Sequence, residues 1–105
     1  MTAIVLIKDA PGVATGEWKS GSDTSETGGI RSVQVGILGS GVIGATVVIE
    51  GCNDGRFPQL IATFTLAGTG VVSDAIEISF PWEQYRARVS AVNGTGTIVS
   101  ATMKV

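Results

Sequence analysis

The chain has 105 residues, of which 44% are hydrophobic and only 15% charged, with a net charge of −2 and a mean hydropathy of +0.38. That length fits a single domain, residues 1–105, able to bury somewhat over ~60% of its unfolded surface. Seven scattered basic residues supply no phosphate-binding patch, a lone cysteine excludes an intrachain disulfide, and no apolar run approaches the ~18 to 20 residues that span a bilayer.

Residues 3–8, AIVLIK, form a compact β-branched run that Asp9-Ala10-Pro11-Gly12 ends, which predicts a first strand. Residues 14–19 alternate Ala14, Gly16 and Trp18 against Thr15, Glu17 and Lys19, a short strand with Trp18 on one face. Residues 20–29, SGSDTSETGG, are small or polar throughout and predict an exposed loop. In residues 30–38 the set Arg31, Val33, Val35 and Ile37 is the better candidate for the core.

Residues 43–50 and 59–66 then alternate on either side of Asn53-Asp54-Gly55, whose side chains and missing Cβ suit a tight reversal. A β-hairpin is the direct reading. Residues 71–80 alternate Ile76, Ile78 and Phe80 against Glu77 and Ser79, and Pro81-Trp82 closes that run. Residues 84–92 set Tyr85, Ala87, Val89 and Ala91 against Arg86, Arg88 and Ser90. Asn93-Gly94-Thr95-Gly96 reads as a second hairpin turn into a last strand over residues 97–105.

No window carries apolar residues at helical spacing, and strand signals recur every ~8 to 12 residues. The expectation is an all-β, antiparallel β-sandwich, jelly-roll-like with about eight strands; seven- or nine-stranded sandwiches are the nearest competitors. Fifteen glycines between apolar runs are its turns. The expected core includes Val47, Ile49, Leu60, Phe64, Ile76, Ile78, Tyr85 and Val89.

The run VVIEGCNDGRFPQLIATFTL followed by WEQYRARVSAVNGTGTIVSATMKV resembles small β-sandwich virion proteins of tailed bacteriophages. In these a strand, a G-(S/C)-N-D-G turn, a strand, an aromatic-R-x-R-V strand, a G-T-G turn and a last strand follow in that order. The resemblance covers roughly the C-terminal half and rests on turns and alternations. The same residues are similar to discoidin-type sugar-binding sandwiches, and the residues do not separate the two.

Catalytic chemistry is poorly supplied. Without histidine no Ser-His or Cys-His pair forms, and Cys52 has no base visible beside it, so it reads as a small, semi-buried residue. Gly39-Ser40-Gly41-Val42-Ile43-Gly44 matches G-x-G-x-x-G, but the dinucleotide fingerprint needs a helix at its third glycine. Here a β-branched run, TVVIEG, follows Ala45, so the glycines predict a flexible loop between strands. Asp54, Asp74 and Glu77 sit at turns or solvent faces rather than as a glycosidase pair, and no D-x-D-x-D-G ladder marks a calcium site. No cofactor or metal is expected. Asn93-Gly94-Thr95 is formally a glycosylation sequon, but Met1-Thr2-Ala3 begins no signal peptide, so it reads as a turn.

Together with the low charge content and the antiparallel sandwich, the resemblance to phage virion proteins implies a non-enzymatic virion structural protein, a capsid decoration or cement protein that forms a homo-oligomer on the head shell. So low a charge content implies surface covered by other subunits, and Arg86 and Arg88 are the expected subunit-interface residues, with a solvated strand face as the plain alternative. Its partners would be further copies of itself and the major capsid protein or another virion protein, with no nucleic acid and no membrane. Its location would be the virion, after synthesis in the bacterial host cytoplasm. The alternative function is a carbohydrate-binding module of a phage tail or host-recognition apparatus, with Trp18 and Trp82 as the sugar platform.

Overall fold

A computed structural model describes residues 3–20, 31–54, 56–78 and 82–104. The polar segment over residues 21–29, Gly55 of the turn, and Phe80 and Pro81 lie outside the described residues. The described chain is all β and antiparallel, with no helix. Its strands are β1 (Ala3–Ala10), β2 (Ala14–Thr15), β3 (Lys19–Ser20), β4 (Arg31–Cys52), β5 (Gln59–Ile78) and β6 (Gln84–Lys104). All six belong to one sheet in the order β1-β6-β4-β5, with β2 and β3 also paired to β6.

Three strands exceed the expected lengths because three pairs of predicted strands are each continuous. The 22 residues of β4 would span roughly 70 Å if straight, whereas the molecule is 42 Å in its longest dimension. The strand must therefore bend. It does so at residues 39–41, where its partner on β5 jumps from Val71 opposite Leu38 to Thr69 opposite Val42. On the other side its partner on β6 jumps from Ile98 opposite Leu38 to Thr95 opposite Ser40 and Asn93 opposite Gly44. The three glycine-rich segments of β4, β5 and β6 are thus neighbours in space, stacked into one crease across the sheet.

Positive φ angles fall in this crease, at Gly41, Gly70, Gly94 and Gly96. The most constrained is Gly94, with φ of 101°, where a Cβ would stand 2.7 Å from the Val42 carbonyl oxygen and 2.9 Å from Ile43 Cα. Only glycine fits so close to a neighbouring backbone in that conformation. The sheet therefore keeps its ladder through the crease, and the predicted turn at 93–96 and loop at 39–44 are bulges within strands rather than reversals or connections. Three such mergers, with the predicted strand over residues 14–19 divided into β2 and β3, leave six strands among the described residues where about eight were expected.

The crease divides the sheet into two arms. In the first, β1 and the C-terminal half of β6 flank the beginning of β4 and the end of β5; in the second, β2 and β3 join the N-terminal half of β6, the end of β4 and the beginning of β5. The arms turn the same face inward and share one apolar cluster, with Val33, Val35, Ile37, Val99, Ala101 and Met103 from the first and Val47, Ile49, Phe64, Tyr85, Ala87 and Val89 from the second. They also meet along one side. A Cβ on Gly16 would lie 2.5 Å from the Leu6 carbonyl oxygen and 3.0 Å from that of Ala87, and the Gly16 amide donates to Ala87 at 2.9 Å. The short β2 and β3 are separated by this contact instead of forming the single strand predicted over residues 14–19.

Most of the expected core is buried, including Val47, Ile49, Phe64, Ile78, Tyr85 and Val89, and Ile76 packs against it half-buried. Leu60 is the correction, at 66% exposed. Its ladder shows the cause: Ala62 faces Ile49 but Leu60 faces Glu50, so Ile61 is an extra residue on β5. One inserted residue reverses a period-two pattern, and Leu60 joins Glu50 on the outer face. A similar shift between Thr46 and Val47 against β6 turns Ala91 outward, off the face it was expected to share with Val89.

Candidate functional site

Among the described residues, a cluster of charged side chains lies on the outer face of the second arm, where β4 and β6 run side by side. Glu50 faces Arg86 and Val48 faces Arg88 across this ladder, which brings both guanidiniums to one carboxylate. Arg86 Nε donates to Glu50 Oε1 at 2.8 Å, and Arg88 Nε lies 3.7 Å from the same oxygen. The side chains are 12% exposed for Glu50, 21% for Arg86 and 39% for Arg88. Trp18, carried between β2 and β3, places its ring 4.3 Å from the Arg86 guanidinium carbon, a cation–π distance. Arg86 is therefore held between an indole and a carboxylate of its own chain, and Arg88 is the more accessible of the pair.

The adjoining end of the arm is tied by hydrogen bonds. Asp54 Oδ1 accepts from the amides of Arg56 at 3.0 Å and Phe57 at 3.2 Å, closing the reversal between β4 and β5 as a side-chain-mimicked turn. Asn53 Oδ1 accepts from the Glu83 amide at 3.1 Å, joining that turn to the approach of β6. The buried Tyr85 hydroxyl accepts from the Trp82 amide at 2.7 Å. Cys52 is buried and its Sγ lies 3.5 Å from Gln84 Oε1.

Trp82 belongs to the inner face. Its Cγ stands 2.6 Å from where a Cβ on Gly51 would be, and Gly51 faces the buried Tyr85 across the ladder. Trp18 sits on the outer face over Arg86. The two tryptophans are thus on opposite faces of the sheet and form no common platform. A different hollow, of about 160 Å³, lies on the outer face of the first arm between Leu38, Val71 and Ile98, with Gly36 as its floor and Ser73 and Ser100 at its side. Its lining is apolar, and Ser100 Oγ is engaged by the Asp9 amide at 3.0 Å.

The sequence singled out Arg86 and Arg88 as subunit-interface residues and Trp18 as part of a sugar platform, and it missed Glu50, the carboxylate that both arginines share. The signal was weak: a carboxylate alternating outward near a strand end looks like any solvated acid until its register against β6, 36 residues away in sequence, is known. Asp54 was read as a turn residue and is one. Among the described residues no group of three or more acidic or cysteine side chains gathers in a way that would hold a metal ion, and no helix is long and apolar enough to cross a membrane.

No protein-family model matches this chain, and no curated protein matches it in sequence. Its fold does match a solved structure, that of the SPBc2 prophage-derived protein YomS, with a TM-score of 0.59 over 97% of this chain and 89% of the other. The two sequences are 16% identical. What they share is therefore the fold, over nearly the whole of this chain.

Proposed function

We propose that the protein is a non-enzymatic structural component of a bacteriophage virion, a decoration or cement protein that binds the head shell as a homo-oligomer. The observation that carries this reading is the likeness of nearly the whole chain to a prophage-derived protein. The motif order GCNDG, YRARV and GTG supports it independently. So does the use made of the polar groups: Glu50, Arg86 and Trp18 are spent on one another and Asp54 on its turn.

The role is mechanical. A rigid bent sheet lies across neighbouring capsid subunits and resists their separation by burying apolar surface, at ~25 cal/mol per Å² before association costs. Repetition over a shell multiplies a modest contact. The exposed Leu38, Val42 and Val71 along the outer rim of the crease supply apolar surface of this kind.

Heads assembled without the protein test the reading. They are expected to release their DNA at lower temperature than complete heads, with stability restored when purified protein is added back. Equal stability with and without it would overturn the cement role. Binding of the purified chain to a glycan array, abolished by Trp18→Ala or Trp82→Ala alone, would support the carbohydrate-binding alternative instead.

A further inference from the structure

The sheet has four edges among the described residues, and three are protected. The β1 edge is broken by register shifts and carries Lys8 and Asp9, the latter at a φ of 51°. The β2 and β3 edge consists of two-residue pieces closed against Leu6 of the other arm. The second half of β5 carries Asp74 and Glu77. These are the devices by which proteins discourage edge-to-edge pairing.

The fourth edge is interrupted once, by the bulge at Ile61, and carries no other device of this kind. Residues 59–66, QLIATFTL, contain no charge, proline or glycine, and β5 pairs along one side only, with β4. Its outer backbone amides and carbonyls form an open template. Beside it Leu60 and Phe57 are 66% and 62% exposed, and Thr63 and Thr65 face solvent.

We propose that this half of β5 is a self-pairing edge, through which two copies of the chain join antiparallel about a two-fold axis normal to the sheet and centred near Thr63. A second copy suits the edge because an isologous pairing here sets no like charges opposite one another, whereas the same pairing through the other half of β5 would bring Asp74 beside its own mate. The second arms of the two copies then form one continuous sheet. This pairing deepens the homo-oligomer part of the proposed function and rests on it.

Sedimentation velocity of the full chain tests the pairing. The wild type is expected to sediment as a concentration-dependent dimer or a multiple of it, and Thr63→Lys and Thr63→Glu, each placing like charges face to face, to weaken the dimer by about tenfold or more. Mixing the two variants is expected to restore it. Amide hydrogen exchange of the wild type gives a readout free of substitutions: protection of residues 59–66 is expected to rise with protein concentration. An oligomer indifferent to both variants, with no concentration-dependent protection there, overturns the edge while leaving the homo-oligomer standing. A monomer at all concentrations whose residues 59–66 become protected only within phage heads also overturns it, in favour of a strand from another virion protein, and leaves the virion reading intact.

Discussion

Glu50 serves two guanidiniums from a position that is mostly out of water, so its removal strands both. Glu50→Ala is expected to lower unfolding free energy by about 2 to 3 kcal/mol, because a charge-assisted hydrogen bond is lost and Arg86 is left half-buried without its partner. Glu50→Gln keeps an acceptor and is expected to lose less. Urea unfolding of both variants checks this, and a loss below about 0.5 kcal/mol for the alanine variant would mean that water replaces the carboxylate freely. A second pair of substitutions tests the face assignment on β5. Phe64→Ala should cost about 3 to 5 kcal/mol, while Leu60→Ala, on the outer face beyond the bulge, should change stability by no more than about 0.5 kcal/mol. Similar losses at the two sites would put Leu60 back on the inner face.

The long strands show what alternation could and could not reveal. Every apolar run was legible as β, and the buried sets Val33, Val35, Ile37 and Val99, Ala101, Met103 follow period two. The reversal at Asn53-Asp54 was legible because its side chains are built for a local turn. The segments GSGVIG, AGTG and NGTG were not, since glycine permits a reversal and a bulged bend equally, and the choice between them rests on pairing with strands far away in sequence. The bulge at Ile61 was invisible for the same reason, and with it the placement of Leu60. The Glu50, Arg86 and Trp18 cluster depended on that long-range register too. The crease makes a sharp prediction: Gly94→Ala should cost about 2 kcal/mol or more, through both its positive φ and the approach of Val42. Gly12→Ala, with open space around the added methyl, serves as the control. Equal thermal stability of the two variants would contradict a continuous, creased β6.

At the scale of the whole molecule, two arms share one apolar cluster, with a closed side where Leu6 meets Gly16 and an open one along the first half of β5. The open edge and the apolar outer rim are the surfaces that the proposed structural role would use. The low charge content that pointed toward subunit contacts is concentrated in consequence: the uncharged half of β5 and the Leu38, Val42 and Val71 rim are where it falls. Cryo-electron microscopy of purified phage particles tests the virion reading most directly. The account predicts repeated density for a bent β unit of about 42 Å in length on the head, bridging neighbouring capsomers. Particles that are infectious and complete yet contain no such density on head or tail would contradict it.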